Sequence, residues 1–456
     1  MILNKRGRFS TKGIALIMAS ALLMGLVSSC SIPGIKDETE ASESTSAIYT
    51  TVDYSEMLMQ ESETIVETTS EDLLTPEEAT LLFLCELKGD LLGYEISEDS
   101  LLEESSAVLN GSLTIKDFVT SVINSSEFEA LELDDEAYIN RVGSVLFNGQ
   151  LSEARSEFLL AQLQNGVPRE AILNVFMGSE PFIELCNANG FFTDNSITLL
   201  DSTSDLYDVV NTIPEGEMIT TTNGYLPSDS VLTEINDALS TLDSHYQNCG
   251  FMLIDINTGR GIAYNVDHKF YSASSIKGPY VTSLCYYIPE TLTTYESTIH
   301  LILKYSDNDA FTSIFNRYLR TYITSWAEES GVPAEAVCYK YPQIETRNLF
   351  RMWIRSYEYF TTSEDGRTLA TWFEEPEYSA IHSTLGDLYV TQTKGGWMID
   401  DQPNHTTTVD AGIVYATNGE YIIVIESNVP RNMDGIVPLV TALNHAHDEM
   451  TYISTY

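Results

Sequence analysis

From Thr75 to about residue 195, apolar residues recur at spacings of three and four with little strict alternation, which predicts a helical region. Thr75-Pro76-Glu77-Glu78 reads as its first helix start. Thr75 caps, Pro76 fits the first turn and Glu78 completes a capping box. The region repeats weakly. Asn110-Gly111 followed by Ser125-Ser126-Glu127-Phe128 echoes Asn165-Gly166 followed by Ser179-Glu180-Pro181-Phe182. Each Ser-Glu-Phe-like group is most simply a helix stop with a buried aromatic. A repeated helical unit of this kind suits binding or spacing better than catalysis.

From Ser230 the pattern changes. Residues 231–246 form an amphipathic helix, 251–256 a buried strand, Asn257-Thr258-Gly259 a turn, and 261–264 the returning strand. Helices follow. A strand over 389–393 and another over 410–417 come next, and Asn418-Gly419 is a type I′ hairpin signal with residues 420–427 returning. Apolar Ile436, Leu439, Val440 and Leu443 mark a closing helix over 436–450. The pattern therefore predicts a multidomain chain: an all-α N-terminal domain, then an α/β (α+β) domain with a central antiparallel sheet and a helical lobe.

Between these blocks the composition is too polar for a core. Residues 31–75, rich in Ser, Thr and Glu, read as a flexible, self-repelling linker, and residues 196–230 as a second linker. The domains expected are then 76–195 and 231–456. Ahead of them lie basic Lys5, Arg6, Arg8 and Lys12 and an apolar run over 14–27, a leader pattern for residues 1–30. Leu26-Val27-Ser28-Ser29-Cys30 resembles a bacterial lipobox, which implies lipidation at Cys30 and a mature chain outside the cytoplasmic membrane, anchored to it. An uncleaved membrane anchor with an incidental cysteine is the alternative.

Of 456 residues, 67 are acidic and 23 basic, a formal charge of −44. So acidic a chain repels nucleic acid and anionic membrane surfaces, and nucleic-acid binding is set aside. The six cysteines and seven histidines show no zinc spacing, and no cofactor is implied.

The chemistry gathers around residues 271–280. Ser274 and Lys277 stand three apart. If a helix begins at the serine they share a face, and the amine can take the hydroxyl proton that a serine nucleophile must lose. Ser306-Asp307-Asn308 and Lys394-Gly395-Gly396 follow in order. Singly each group is an ordinary helix cap or hairpin end. As an ordered triple they resemble the S-x-x-K, S-D-N and K-T-G motifs of class A β-lactamases and penicillin-binding proteins. The resemblance covers roughly 231–456.

That resemblance implies Ser274 as acylated nucleophile, Lys277 as its activating partner and Ser306 as proton relay. It also implies that Asn308 bonds the substrate amide and that Lys394 is a positive charge opposite the serines. The backbone N–H groups of Ser274 and Trp397, beside Gly396, would form an oxyanion hole. The implied partner is a β-lactam or a peptidoglycan-type peptide. Two departures matter. Lys-Gly-Gly lacks the hydroxyl of Lys-Thr-Gly, and no Glu-x-x-Leu-Asn element lies between Ser306 and Lys394. Glu328, Glu329, Glu335 and Glu345 are the glutamates between Ser306 and Thr346, none in a recognisable context. Slow deacylation is expected. The competing reading is a cell-surface binding or scaffold protein that retains the fold, with a partner held by the helical domain.

Overall fold

A computed structural model of the chain describes residues 74–191, 199–243, 248–399 and 405–450. The leader with Cys30 and nearly all of the 31–75 segment lie outside the described residues.

The N-terminal domain is all-α. It comprises α1 (Pro76–Leu92), α2 (Leu102–Leu109), α3 (Ile115–Ile123), α4 (Ser126–Glu129), α5 (Asp135–Leu146), α6 (Glu153–Gln164), α7 (Arg169–Met177) and α8 (Glu180–Ala188). Helix α1 starts on the capping box read from Thr75 and Glu78. The internal repeat is also structural. Ser125 Oγ accepts from Phe128 N at 3.2 Å and donates to Val122 O at 2.6 Å. Ser179 does the same with Phe182 N at 3.4 Å and Phe176 O at 2.7 Å. Phe128 and Phe182 are both buried in the core of this domain. Each copy thus ends one helix and starts the next on a single hydroxyl.

The second unit begins earlier than the composition suggested. Residues 199–230, read as linker, instead carry helix α9 (Asp205–Thr212) and strand β1 (Thr220–Thr222). Strand β2 is Cys249–Asp255 and β3 is Gly261–Tyr264, and β1 pairs with β3. Leu206, Val209, Val210 and Ile213 lie in the main core. Arg347, 8% exposed, donates to Asp267 and to the carbonyls of Val210 and Ile213. A polar-looking segment is held here by a buried guanidinium and four apolar anchors, features spread too thinly to mark a domain by composition.

The remaining helices are α10 (Asp229–Asp243), α11 (Lys277–Tyr287), α12 (Thr291–Thr294), α13 (Glu296–Tyr305), α14 (Asn308–Tyr318) and α15 (Thr321–Glu329). After them come α16 (Thr346–Thr362), α17 (Glu364–Thr371), α18 (Ala380–Leu385) and α19 (Met433–Met450). Strands β4 (Lys269–Tyr271) and β5 (Gln343–Glu345) make a small two-stranded sheet. Strands β6 (Val390–Thr393), β7 (Gly396–Met398), β8 (Thr407–Ala416) and β9 (Gly419–Ser427) complete the large antiparallel one, in the order β1-β3-β2-β9-β8-β6, with β7 also on β8.

Both faces of this sheet are covered. Met252, Ile254, Ile422 and Val424 point into the core shared with α9, α11 and α13–α17. Phe251, Leu253, Tyr421, Ile423 and Ile425 point to the opposite face, under α10, α18 and α19. Period-two alternation with apolar residues on both faces explains why these strands read as unbroken hydrophobic runs. The β8–β9 turn departs from the I′ expectation. Ala416 pairs with Gly419, so the loop is Thr417-Asn418, and neither residue has positive φ; Gly419 carries it, at 149°.

The domains touch through polar and apolar contacts. Gln162 Nε2 donates to Ile219 O at 2.7 Å, Arg155 Nε donates to Pro227 O at 3.1 Å, and Phe158 packs against the core beneath α10 and α19. A fragment of residues 225–456 should therefore be less stable than one of residues 199–456. The missing burial of α9 is worth roughly 5 kcal/mol or more. Equal denaturation midpoints for the two fragments would contradict this placement of 199–222.

Candidate active site

Helix α11 starts at Lys277, not at Ser274. Residues 273–276 form a turn, closed by Ser275 N to Ser272 O at 3.0 Å and Lys277 N to Ser274 O at 3.1 Å. Ala273 enters it with φ of 43°, a left-handed conformation that non-glycine residues adopt at a cost. Ser274 is half-buried on a cleft wall, while Lys277, one turn on, is fully buried.

Among the described residues no side-chain hydrogen bond joins Ser274 Oγ to Lys277 Nζ. The lysine crosses the cleft instead. Its Nζ donates to Ser306 O at 2.6 Å and to Asn308 Oδ1 at 2.7 Å, with Asp307 O farther off at 3.4 Å. Two short bonds match the two N–H groups of a neutral amine and leave one lone pair, the acceptor that a serine proton needs. Burial, then the charges of Lys394 and Lys340, push the Lys277 pKa down to about 7, against the opposing pull of Asp307.

The turn between α13 and α14 is shaped to receive this lysine. Ser306 ends α13 with φ of 56°, again left-handed, and Asp307 Oδ1 caps α14 by accepting from Ala310 N at 2.7 Å. Reversing the chain at Ser306 lets its carbonyl meet Lys277 while its hydroxyl accepts from Lys394 Nζ at 3.0 Å. Asn308, the first residue of α14, also accepts from Tyr341 OH at 3.2 Å. Its oxygen is thus occupied twice, which leaves the NH₂ to donate.

Lys394 comes from a break in the sheet edge. Strands β6 and β7 pair with successive parts of β8, and Lys394 N still bonds Ala411 O at 2.9 Å. The side chain is 1% exposed, and Nζ also donates to Gly395 O at 2.7 Å. Burial pushes its pKa down to about 8, opposed by buried Asp410. Burial pushes that carboxyl up to about 6, although Ile381 N, Ser379 Oγ, Lys394 and Ala411 N favour its charged form. Between those values both groups are ionised. Asp410 and Ser379 were not singled out from sequence. The available signal was an acid inside an otherwise apolar strand.

Gly396 seals the arrangement. A Cβ there would lie 2.5 Å from both Ser274 N and Ser275 N, so only glycine lets β7 approach the 273–276 turn. Trp397 follows on the cleft wall, its ring 6.4 Å from Tyr378 and 4.0 Å from the Arg431 guanidinium. The cleft encloses about 410 Å³ and is rimmed by Tyr271, Tyr305, Tyr341, Tyr378 and Trp397. Tyr341, like Lys340, escaped the sequence reading, because neither belongs to a motif.

None of the four candidate glutamates lines the cleft. Glu329 pairs with Arg355 and accepts from Tyr287 OH; Glu345 pairs with Lys269 at 3.6 Å and accepts from Asn348 at 2.6 Å. Glu328 and Glu335 are exposed.

The close approach of Gly396 gives a direct test. Gly396→Ala should push β7 from the 272–275 turn and cost about 2 kcal/mol of stability, read from denaturation midpoints. An unchanged midpoint would mean that the two backbones are not in contact.

No family model matches the sequence, and no curated protein matches it. Among solved structures, the chain is similar to a β-lactamase from Sphaerobacter thermophilus at 14% identity, over 48% of this chain and 97% of that one, with a TM-score of 0.39. It is similar to a β-lactamase from Chitinophaga pinensis at 16% identity, over 47% and 98% of the two chains, with a TM-score of 0.40. It is also similar to PBP-A at 15% identity, over 50% and 98%, with a TM-score of 0.40.

Proposed function

We propose that the chain is a serine acyl-transfer hydrolase that opens a β-lactam or a cell-wall peptide through an ester on Ser274. The observation that carries this reading is the hydrogen-bonded cluster of Lys277, Ser306, Asn308 and Lys394 beside the exposed edge of Ser274, with Lys277 poised near neutrality.

In the acylation step the Lys277 lone pair takes the Ser274 proton as Oγ bonds to the substrate carbonyl carbon. The resulting oxyanion is held by the N–H groups of Ser274 and Trp397. The C–N bond then breaks. Its electron pair stays on nitrogen, which receives a proton through the Ser306 hydroxyl held by Lys394. Asn308 donates to the substrate amide, and Lys394 supplies the positive field for a substrate carboxylate. In deacylation, water adds to the ester carbon, the C–Oγ bond breaks and Ser274 recovers a proton. Among the described residues the carboxylate that lines the cleft is Asp307, whose Oδ1 caps α14, so no described glutamate serves this step as base. Slow release of the acyl group is part of the proposal.

Lipidation at Cys30 would tether the chain outside the cytoplasmic membrane, and the helical domain would serve as spacer or as the site for a surface partner. Cys30→Ala should leave full-length precursor and abolish incorporation of labelled fatty acid. Equal labelling of the two forms would refute the anchor.

Intact-protein mass spectrometry after mixing with a fluorescent penicillin tests the chemistry. One long-lived adduct is expected, absent in Ser274→Ala and formed at least 100-fold more slowly in Lys277→Ala. Rapid multiple turnover would refute slow deacylation. The absence of an adduct with any β-lactam or D-Ala-D-Ala ester would favour a binding or scaffold protein.

A further inference from the structure

One face of α14 carries a second cation beside the first. Asn308, Phe311 and Thr312 stand at i, i+3 and i+4, so they share a face of the helix. Asn308 Oδ1 accepts from Lys277. Thr312 Oγ1 accepts from Lys340 Nζ at 2.5 Å and donates back to Asn308 O at 2.5 Å. Phe311, fully buried between them, carries both amines: Lys277 Nζ lies 5.4 Å and Lys340 Nζ 5.3 Å from its ring centre. The Tyr341 ring does the same, at 6.0 and 5.2 Å. The two nitrogens are therefore separated by at most 5.4 plus 5.3 Å.

We propose that Lys340 is a positioning residue for acylation: a cation seated on the same rings as Lys277, whose charge keeps the Lys277 amine in the form that accepts the Ser274 proton. The proposal rests on the acyl-enzyme reading above and adds a residue outside its three motifs.

The surroundings make the charge effective. Lys277 faces Lys394 from the sheet edge, Asp307 from the turn before α14, and Lys340 and Tyr341 from the segment before β5. Burial holds the Tyr341 hydroxyl up at about 12, so it contributes no charge near neutrality. Asp307 is then opposed by two lysines. Lys340 stays near because Thr312 holds it and because Phe311, Phe315 and Tyr341 offer ring faces that favour a cation. A charge at this separation, acting partly through protein, moves a titration by about half to one pH unit. The sign is fixed. Removing the Lys340 charge makes protonated Lys277 less costly, raises its pKa and confines the neutral base to higher pH.

The test uses the full chain labelled with ¹³C-lysine, with the Lys277 Cε signal assigned by its loss in Lys277→Arg. Lys340→Met should raise the Lys277 midpoint by about half to one pH unit, whereas Lys340→Arg should leave it in place. Thr312→Val, which frees Lys340 from its anchor and also removes the bond to Asn308 O, should give a smaller rise and serves if Lys340→Met does not fold. The acidic limb of acylation by a fluorescent penicillin should move by the same amount. A Lys277 midpoint unmoved in folded Lys340→Met and Thr312→Val would overturn the proposal. A midpoint that moves while no variant forms an adduct would uphold the electrostatic coupling and refute the acyl-enzyme reading instead.

Discussion

Two lysines buried against one cleft set the terms for the C-terminal half of this protein. Lys277 and Lys394 are almost wholly removed from solvent, yet among the described residues neither forms a salt bridge with a carboxylate. An isolated buried ammonium is unfavourable, and the cost falls only if the group finds hydrogen-bond acceptors or gives up its proton. The structure uses both routes. Lys277 is met by a backbone carbonyl and an amide oxygen and is shifted towards neutrality. Lys394 is met by Ser306 and Gly395 and keeps its charge through the field of Asp410.

Meeting those requirements shapes the chain nearby. The carbonyl offered to Lys277 exists because Ser306 takes a left-handed conformation at the end of α13, a strain of about 1–2 kcal/mol. The break between β6 and β7 puts Lys394 at the point where the sheet edge meets the 273–276 turn, and Gly396 permits that approach. Behind these contacts the sheet is packed on both faces, so its edge has little freedom to relax. The cleft geometry therefore depends on two large cores and not only on the motif residues.

Much of this was legible in the sequence, for reasons that differ by element. The strands at 251–256, 261–264 and 420–427 and the capping box at Thr75 follow from local periodicity and side-chain chemistry, and they appear within a few residues of their expected bounds. Ser274, Lys277, Ser306, Asn308, Lys394, Gly396 and Trp397 lie around one cleft. What escaped was tertiary. Three threonines do not announce a sheet edge, and α9 gains its place through Arg347, more than 130 residues away. Lys340 and Tyr341 matter because α14 presents Phe311 to them. The expected side-chain contact of Ser274 with Lys277 is replaced for a local reason: the helix begins one turn later, and the amine bonds acceptors across the cleft.

The pH dependence of single-turnover acylation tests the central claim most directly, because it reads the two lysines separately. With Lys277 required neutral and Lys394 required charged, the rate should rise with pH through about 7 and fall through about 8, giving a narrow bell. A rate that stays flat from pH 5 to 10, or that begins to rise only above pH 10, where an ordinary lysine titrates, would contradict the account.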